Sequence, residues 1–149
     1  MFAHIMIAFD GSDLAGKALD LGLQMAKPNG SRVTVVTSTD PIETGLGTGG
    51  FGTIDAKSLI DKLEVAYSAE ASGILKAARA KAVAAGIEMN DAYVPGMRAS
   101  DAILETAEKL GCDLVVMGSH GRRGLQRLIL GSQAAAVLAA SKVPVLIVK

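Results

Sequence analysis

The chain is poor in aromatic side chains, with three phenylalanines, two tyrosines and no tryptophan among its 149 residues. Surfaces that stack nucleobases depend on several aromatic rings, so this composition argues against such a surface. An excess of one charge is absent too, because 15 basic and 15 acidic side chains balance to a formal net charge of zero. Proteins that bind nucleic acids or anionic membranes usually carry a basic excess. We therefore expect neither a nucleic-acid partner nor a membrane partner.

Cysteine and long apolar runs are also scarce. Cys112 has no second cysteine with which to form a disulfide within the chain, and its place before an apolar run predicts a buried, unreactive thiol. This cysteine usage suits a reducing compartment, so a cytoplasmic location is expected. The first apolar run is broken by His4 and Asp10, which is not typical of a signal peptide, and no run has the length of a membrane span.

Half of the residues are hydrophobic, and short apolar runs alternate with helical patterns. The runs predict strands at Ile5–Phe9, Arg32–Thr37, Ile87–Val94, Leu114–Met117 and Pro144–Val148. The predicted helices are one capped by Ser12 or Asp13 and ended by Pro28–Gly30, one from about Asp55 to Ala85, one capped by Ser100 or Asp101 and closed by Gly111, and one from about Gln133 to Ser141. We predict a single α/β domain, residues 1–149, with a doubly wound five-stranded parallel sheet and helices on both faces.

The most informative segment runs from Gly118 to Ser132, directly after the fourth predicted strand. Gly118 and Gly121 lie in a turn, and Gly131 and Ser132 begin the last helix. Glycines let backbone N–H groups approach an anion, and a helix start offers free N–H groups to a phosphate. Ser132 can add a hydroxyl donor or act as the N-cap. Because the sequence contains no G-x-x-x-x-G-K-[ST], it predicts a phosphate site that is not a Walker-type loop.

A second turn, Asp10–Ser12, follows the first predicted strand. Doubly wound sheets bind ligands beyond the carboxyl ends of their strands, where the strand order reverses. If the first strand neighbours the fourth, Asp10 lies opposite the glycine turn, and one crevice can hold a nucleoside with its phosphates. Mg²⁺ or Mn²⁺ would arrive with the phosphates, and Asp10 is the nearest carboxylate. The alternative is that Asp10 only forms the turn or caps the helix.

Other residues near the glycine turn have two interpretations. The arginines Arg122, Arg123 and Arg127 can balance a triphosphate through forked hydrogen bonds, or they are solvated surface charge. His120 belongs to no Ser–His–Asp or Cys–His–Asp pattern, so we interpret it as a hydrogen-bonding loop residue and not as a catalytic base. The segment Gly45–Gly50 fits G-x-G-x-x-G, but it lies past the second strand and opens no helix. We interpret it as a loop and not as a dinucleotide fingerprint.

Taken together, these segments resemble the universal stress protein family, and specifically its ATP-binding branch. That branch carries G-x2-G-x9-G-[ST], and each fixed position is matched, by Gly118, Gly121, Gly131 and Ser132. The likeness includes the segments His4–Ser12, Cys112–Gly121 and Val143–Val148. It therefore covers nearly the whole chain, and it implies a Rossmann-like strand order 3-2-1-4-5.

The resemblance implies that the matching residues form an adenine-nucleotide site. The base and ribose would lie against Ala8, Asp10, the backbone of Ser38, and Gly118. The phosphates would be held by Gly121, Gly131 and Ser132, next to Gln133. The predicted nucleotide-binding set is completed by three residues that flank the glycines, Met117, His120 and Arg122.

Two further points follow from the resemblance. Gln133 departs from the family, which often has an apolar residue there; the backbone N–H is retained, but the side-chain surroundings of the terminal phosphate change. Family members usually dimerise through their last strands, which implies a homodimer through Val145–Val148. An apolar strand at a sheet edge favours such pairing on physical grounds as well.

We therefore expect an ATP-binding regulatory module of the stress response, a homodimer, with Mg²⁺ or Mn²⁺ accompanying the phosphates. No base or phosphate-activating lysine accompanies the glycine motif, so we assign no catalytic residue and expect slow hydrolysis at most. One alternative is a slow ATPase or a phosphoryl or nucleotidyl transferase, including self-modification at Ser119 or Ser132. Another is a nucleotide-free dimeric interaction protein. AMP or a cyclic nucleotide stays open as the ligand.

Overall fold

The computed structural model describes residues 1–43, 56–122 and 130–149, so the predictions for Arg123, Arg127 and the segment 44–53 lie outside the described residues. The strands are β1 His4–Ala8, β2 Arg32–Ser38, β3 Met89–Val94, β4 Leu114–Gly118 and β5 Val145–Val148. The helices are α1 Asp13–Ala26, α2 Ala56–Ala85, α3 Ala99–Leu110 and α4 Ser132–Ala140, with a short 3-10 turn at Lys27–Asn29. The ends of all five strands lie within two residues of their predicted positions.

The five strands form one parallel sheet in the order β3-β2-β1-β4-β5, which confirms the predicted topology. Strand β1 lies in the middle, and Ile7 is in register with Val35 of β2 and with Val116 of β4. The chain builds outward from β1 on one side and then returns to add β4 and β5 on the other. The order therefore reverses between β1 and β4, and a crevice opens at the carboxyl ends of these two strands.

Alternate residues of β1 pack against the two helical layers. Ile5 and Ile7 face a cluster that also contains residues of α1 and α2, whereas Met6 faces a cluster with Ile103 of α3 and Val137 of α4. All five side chains are at most 3% exposed. Burying one such side chain contributes about 1.5–3 kcal/mol, so the two clusters fix the strands firmly from both faces.

A close contact between α1 and the sheet depends on Gly22. A Cβ atom at this position would lie 2.5 Å from Cδ1 of Ile7, which is too close for any real contact. Glycine therefore lets α1 approach β1 more closely than a larger residue allows. This packing sets the start of α1 directly beside the carboxyl end of β1.

Helix starts agree with the sequence in one case and differ in two. Ser12 caps α1 as predicted, since its Oγ accepts the backbone N–H of Ala15. Helix α3 begins at Ala99 with Arg98 at the N-cap, so the prediction of a cap at Ser100 or Asp101 was wrong. Helix α4 has Gly131 at the N-cap and makes no side-chain capping bond, so the option of Ser132 as the cap was wrong too. A cap supplied from elsewhere explains α3, as described below.

Polar groups close the amino end of the sheet. The carboxylate of Asp113 accepts the backbone N–H groups of Ala3 and His4, at 2.7 and 2.9 Å. The ring of His4 is buried, and its Nε2 makes a 2.9 Å hydrogen bond with Oγ1 of Thr34. Burial, followed by the charge of Arg32, lowers the pKa of His4 below 6.5, although the charge of Asp113 opposes the shift. The neutral imidazole is therefore the form that fits this position.

The prediction of a buried thiol at Cys112 is confirmed. Cys112 is buried, and this burial raises the pKa of its thiol to about 11. The thiolate is the reactive form, so this cysteine is unreactive at neutral pH. Within residues 1–43, 56–122 and 130–149, no helix is long and apolar enough to cross a membrane.

Candidate functional site

The two turns singled out in the sequence meet at the carboxyl ends of β1 and β4. Strands β1 and β4 pair directly, and the turn that begins at Asp10 therefore faces the turn Ser119–Arg122. Asp10 is half-buried, and Gly121 and Arg122 are exposed. The predicted neighbourhood of these turns is confirmed, and it lies at the point where the strand order reverses.

The Asp10 carboxylate joins the two turns. Its Oδ1 accepts the backbone N–H of Ser12 at 2.9 Å, and its Oδ2 accepts the backbone N–H of Arg122 at 3.0 Å. Asp10 thus forms its own turn, as the simpler interpretation had it, and also positions the glycine turn. Each carboxylate oxygen retains a second lone pair for a ligand or cation. The described part of the chain contains no cluster of three His, Cys, Asp or Glu side chains that could hold a metal by itself.

The three motif glycines are explained by close packing of the chain on itself. A Cβ at Gly121 would lie 2.5 Å from Oδ2 of Asp10, and a Cβ at Gly131 would lie 2.9 Å from the carbonyl oxygen of Ser119. At Gly118 it would lie 3.1 Å from Cβ of Leu14. None of the three has a positive φ. The spacing of the motif glycines therefore fits a turn that packs tightly against α1, Asp10 and the start of α4.

Ser119 ties the glycine turn to its neighbours through both main-chain groups. Its N–H donates to the carbonyl of Val148 at the end of β5, and its carbonyl accepts the N–H of Gly131, each at 2.8 Å. Its Oγ lies 3.2 Å from Nδ1 of His120. Among the described residues no carboxylate is hydrogen-bonded to His120. The geometry agrees with the prediction of a hydrogen-bonding loop residue and lacks the third group of a catalytic triad.

The first turn of α4 lies beside the glycine turn, at the carboxyl ends of β1 and β4. The first helical hydrogen bond runs from the N–H of Ala135 to the carbonyl of Gly131, so the preceding N–H groups have no partner within the helix. Ser132 is exposed beside them. Such a helix start favours an anion through its free donors and its dipole.

Gln133 has a role that the sequence did not reveal. Its Oε1 accepts the backbone N–H of Ser100 at 2.9 Å, and Ser100 lies in the first turn of α3. The side chain thus supplies to α3 a hydrogen bond that Arg98 at the N-cap does not make. The amide is directed to α3, which explains how this departure from the family pattern is accommodated.

The residues predicted to contact the base and ribose lie at the ends of neighbouring strands. Ala8 and Ser38 are half-buried at the ends of β1 and β2, and Met117 is 6% exposed near the end of β4. Ser38 is the last residue of β2 and pairs with Val94, so its predicted place just past the strand was wrong. Backbone hydrogen bonds continue past Ser38, since the N–H of Thr39 donates to the carbonyl of Val94 and the carbonyl of Thr39 accepts the N–H of Met97. These two hydrogen bonds join the segment after β2 to the segment after β3, and the sequence did not predict this contact.

Arg122 extends the site to α2. Its Nε donates to the carbonyl oxygen of Asp10, and its Nη1 donates to the carboxylate of Glu70 in an ion pair. Glu70 was missed because it lies 52 residues before Arg122 and carries no local motif. Of the three arginines proposed to balance a triphosphate, Arg122 is the described one, and it lies directly over the Asp10 turn. Two surface cavities of about 530 and 540 Å³ lie along α2, and no residue of either turn lines them.

The fold and this edge define a doubly wound α/β protein with two polar turns at its switch point. The model of the universal stress protein family matches residues 1–149, and the chain belongs to that family. It is 35% identical over 150 residues to a universal stress protein of Thermus aquaticus and 32% identical over 150 residues to universal stress protein YxiE of Bacillus subtilis. Each alignment covers 100% of both chains.

Solved structures of relatives share the fold. The structure of MJ0577, a universal stress protein of Methanocaldococcus jannaschii, matches with a TM-score of 0.81 and 26% identity, over 100% of this chain and 96% of that one. A universal stress protein in complex with cAMP matches with a TM-score of 0.70 and 27% identity, over 99% of this chain and 96% of that one. Nucleotide binding therefore occurs among structural relatives of this chain.

Proposed function

We propose that the chain is an ATP-binding regulatory module of the stress response and that residues 1–149 act as one nucleotide-binding domain. The observation that carries the proposal is the meeting of Asp10, the glycine turn and the first turn of α4 at one edge of the sheet. Membership of the universal stress protein family supports it, as does the relative in complex with cAMP.

Each part of the edge has a role in the proposed complex. The base and ribose lie against the strand ends, at Ala8, Ser38, Met117 and Gly118. Asp10 holds the ribose side, and its remaining lone pairs assist an Mg²⁺ or Mn²⁺ ion that arrives with the phosphates. The phosphates lie on the first turn of α4, held by backbone N–H groups of Gly121, Ser132 and Gln133, with Gly131 at the N-cap and His120 and Arg122 beside them.

The direct test is to denature freshly purified protein, identify any released nucleotide by mass, and titrate the stripped protein with Mg-ATP by calorimetry. Bound ATP or micromolar rebinding supports the proposal. An empty protein that gives no heat with ATP, AMP or cAMP contradicts it and favours a nucleotide-free interaction protein of the same fold. Competition among these three nucleotides identifies the preferred ligand, which the cAMP complex of a relative makes necessary.

A second candidate, slow ATP turnover or phosphoryl or nucleotidyl transfer, is favoured by the Ser119–His120 contact of 3.2 Å. The proposal assigns this contact to loop structure, since an unoriented histidine is a poor base. Replacing His120 by alanine distinguishes the two. Turnover that disappears while ATP binding persists supports the enzyme, and unchanged background hydrolysis supports the binding module.

We further propose a homodimer in the cytoplasm, formed through β5. This strand is the edge of the sheet next to β4, and its four residues Val145–Val148 are apolar and half-buried. An edge strand of this kind favours pairing with a second copy. Light scattering should give about twice the 15.2 kDa chain mass. A monomer at micromolar concentration contradicts the dimer and leaves the nucleotide proposal unaffected.

A further inference from the structure

The guanidinium of Arg122 connects three parts of the molecule. Its Nε donates to the Asp10 carbonyl, its Nη1 pairs with the Glu70 carboxylate on α2, and its backbone N–H donates to the Asp10 carboxylate. Arg122 follows Gly121 directly, so it belongs to the glycine turn itself. These two bonds leave further N–H donors on the guanidinium.

We propose that Arg122 exchanges Glu70 for phosphate oxygens when a nucleotide binds, and that Glu70 thereby sets how the site discriminates among ligands by phosphate charge. The inference rests on the proposed nucleotide-binding function. Guanidinium groups form the same forked hydrogen bonds with carboxylates and with phosphates. The Glu70 carboxylate therefore occupies one of the donors that a phosphate would use and holds the guanidinium toward α2, so it acts as an internal competitor.

The charges and the exposure of the pair make the exchange feasible. Glu70 neutralises the charge of Arg122 while the pair is intact, so a phosphate meets that positive charge only when Arg122 is redirected. The side chains of Arg122 and Glu70 are 45% and 52% exposed. An ion pair this exposed is held weakly in water. It orients Arg122 over the Asp10 turn, but it yields to a phosphate group with two or more charges.

The test is to titrate the wild type and Glu70→Gln with adenosine, AMP and ATP by calorimetry. Glutamine keeps the size of the side chain and removes the competing charge. We expect Glu70→Gln to bind ATP about two- to five-fold more tightly, AMP with a smaller gain and adenosine with none. The gain should shrink as salt is added, because the competition is between charges near the surface.

Two further variants make the test specific. Glu64→Gln removes the same charge from an exposed position of α2 and should leave ATP affinity unchanged. In an Arg122→Ala background, Glu70→Gln should give no gain. Melting temperatures establish that each variant is folded.

Each negative outcome has its own meaning. Equal ATP affinities for Glu70→Gln and the wild type, or an equal gain in Glu64→Gln, would overturn the partner exchange alone. If no nucleotide binds to the wild type or to Glu70→Gln, the proposed function fails, and the exchange fails with it.

Discussion

At each end of the β1–β4 strand pair, one aspartate carboxylate accepts two backbone N–H groups, but the surroundings of the two carboxylates differ. At the amino end, the Asp113 carboxylate accepts the backbone N–H groups of Ala3 and His4, and a buried histidine fills the space behind them. At the carboxyl end, the Asp10 carboxylate accepts the N–H groups of Ser12 and Arg122, but half-buried and exposed groups surround it. A buried histidine thus lies at the amino end, whereas the exposed Gly121, Arg122 and Ser132 leave the carboxyl end open to solvent.

The comparison separates stability from binding. At the amino end, the hydrogen bond between Nε2 of the buried His4 and Oγ1 of Thr34 serves the fold. Where a helix start keeps free N–H groups beside a positioned carboxylate, as at α4 and Asp10, the same chemistry can serve a ligand. Changes at the amino end should therefore affect unfolding alone, whereas changes at the carboxyl end should also affect nucleotide binding.

The strongest test of the open end is Gly131→Ala. Its Cβ would lie 2.9 Å from the Ser119 carbonyl oxygen and 3.2 Å from Cα of His120, both main-chain atoms. We expect overpacking to cost about 1–3 kcal/mol in urea unfolding, and ATP affinity to fall about tenfold or more as the start of α4 is displaced. Calorimetry measures the second effect.

Gly73→Ala is the matched control for Gly131→Ala. A Cβ at Gly73, inside α2, meets no atom within 4 Å. This change should raise stability by about 0.5–1 kcal/mol, because alanine is favoured over glycine inside helices. If Gly131→Ala behaved like Gly73→Ala, the tight packing of the glycine turn would be refuted.

A paired exchange of the two aspartates tests the comparison directly. Asp113→Ala removes the acceptor of two N–H groups and should cost about 1–3 kcal/mol of stability, with ATP affinity unchanged. Asp10→Ala should lower ATP affinity about tenfold and, because it also frees two backbone N–H groups, should cost a similar amount of stability, about 1–3 kcal/mol. Urea unfolding and calorimetry on both variants give the four values needed. Equal losses of stability and of ATP affinity in the two variants would show that the two ends do not differ in function.

Gly121→Val should act on binding with little effect on the fold. Its Cβ would lie 2.5 Å from Oδ2 of Asp10, which is the end of a side chain that can rotate away. The rotation breaks the bond from the Arg122 N–H, so the two turns separate and nucleotide affinity falls, while the two helical layers stay packed. Unaltered affinity in a folded variant would show that the phosphates lie elsewhere.

The smallest effect on stability is expected from pH, through His4 at the amino end of the sheet. The pKa of His4 in the folded chain lies below its usual 6.5, through burial and then the charge of Arg32, against the opposing charge of Asp113. The unfolded chain therefore binds a proton first as the pH falls, and stability should decline below about pH 6.5. The pKa of Asp113 is lowered, since bonds from Ala3 and His4 outweigh its desolvation, so Asp113 stays ionised through this range.

The measurement for His4 is a set of melting temperatures between pH 5 and 8 for the wild type and for His4→Gln. The wild type should lose more of its melting temperature toward pH 5 than the variant does. Parallel slopes would show that His4 does not respond to pH as its burial requires.

Local patterns in the sequence predicted the elements, and through the resemblance to a known family they predicted the strand order. Apolar runs located each strand within two residues, and the strand order placed Asp10 opposite Gly121. Sequence could not place Glu70 beside Arg122, or Gln133 on the N–H of Ser100, since these bonds join residues 52 and 33 positions apart. Such partners depend on how the helices pack on the sheet, and no periodic pattern in the sequence indicates that packing.

The bond between Ser119 and Val148 has a practical consequence for spectroscopy. Val148 precedes Lys149, and its carbonyl accepts the Ser119 N–H at 2.8 Å. A fluorophore on Lys149→Cys would therefore sit one residue from a direct hydrogen bond to the glycine turn. Maleimide labelling would be selective for that position, because the Cys112 thiol is buried and its pKa is about 11. Position 149 thus offers a place for a reporter of changes in the glycine turn.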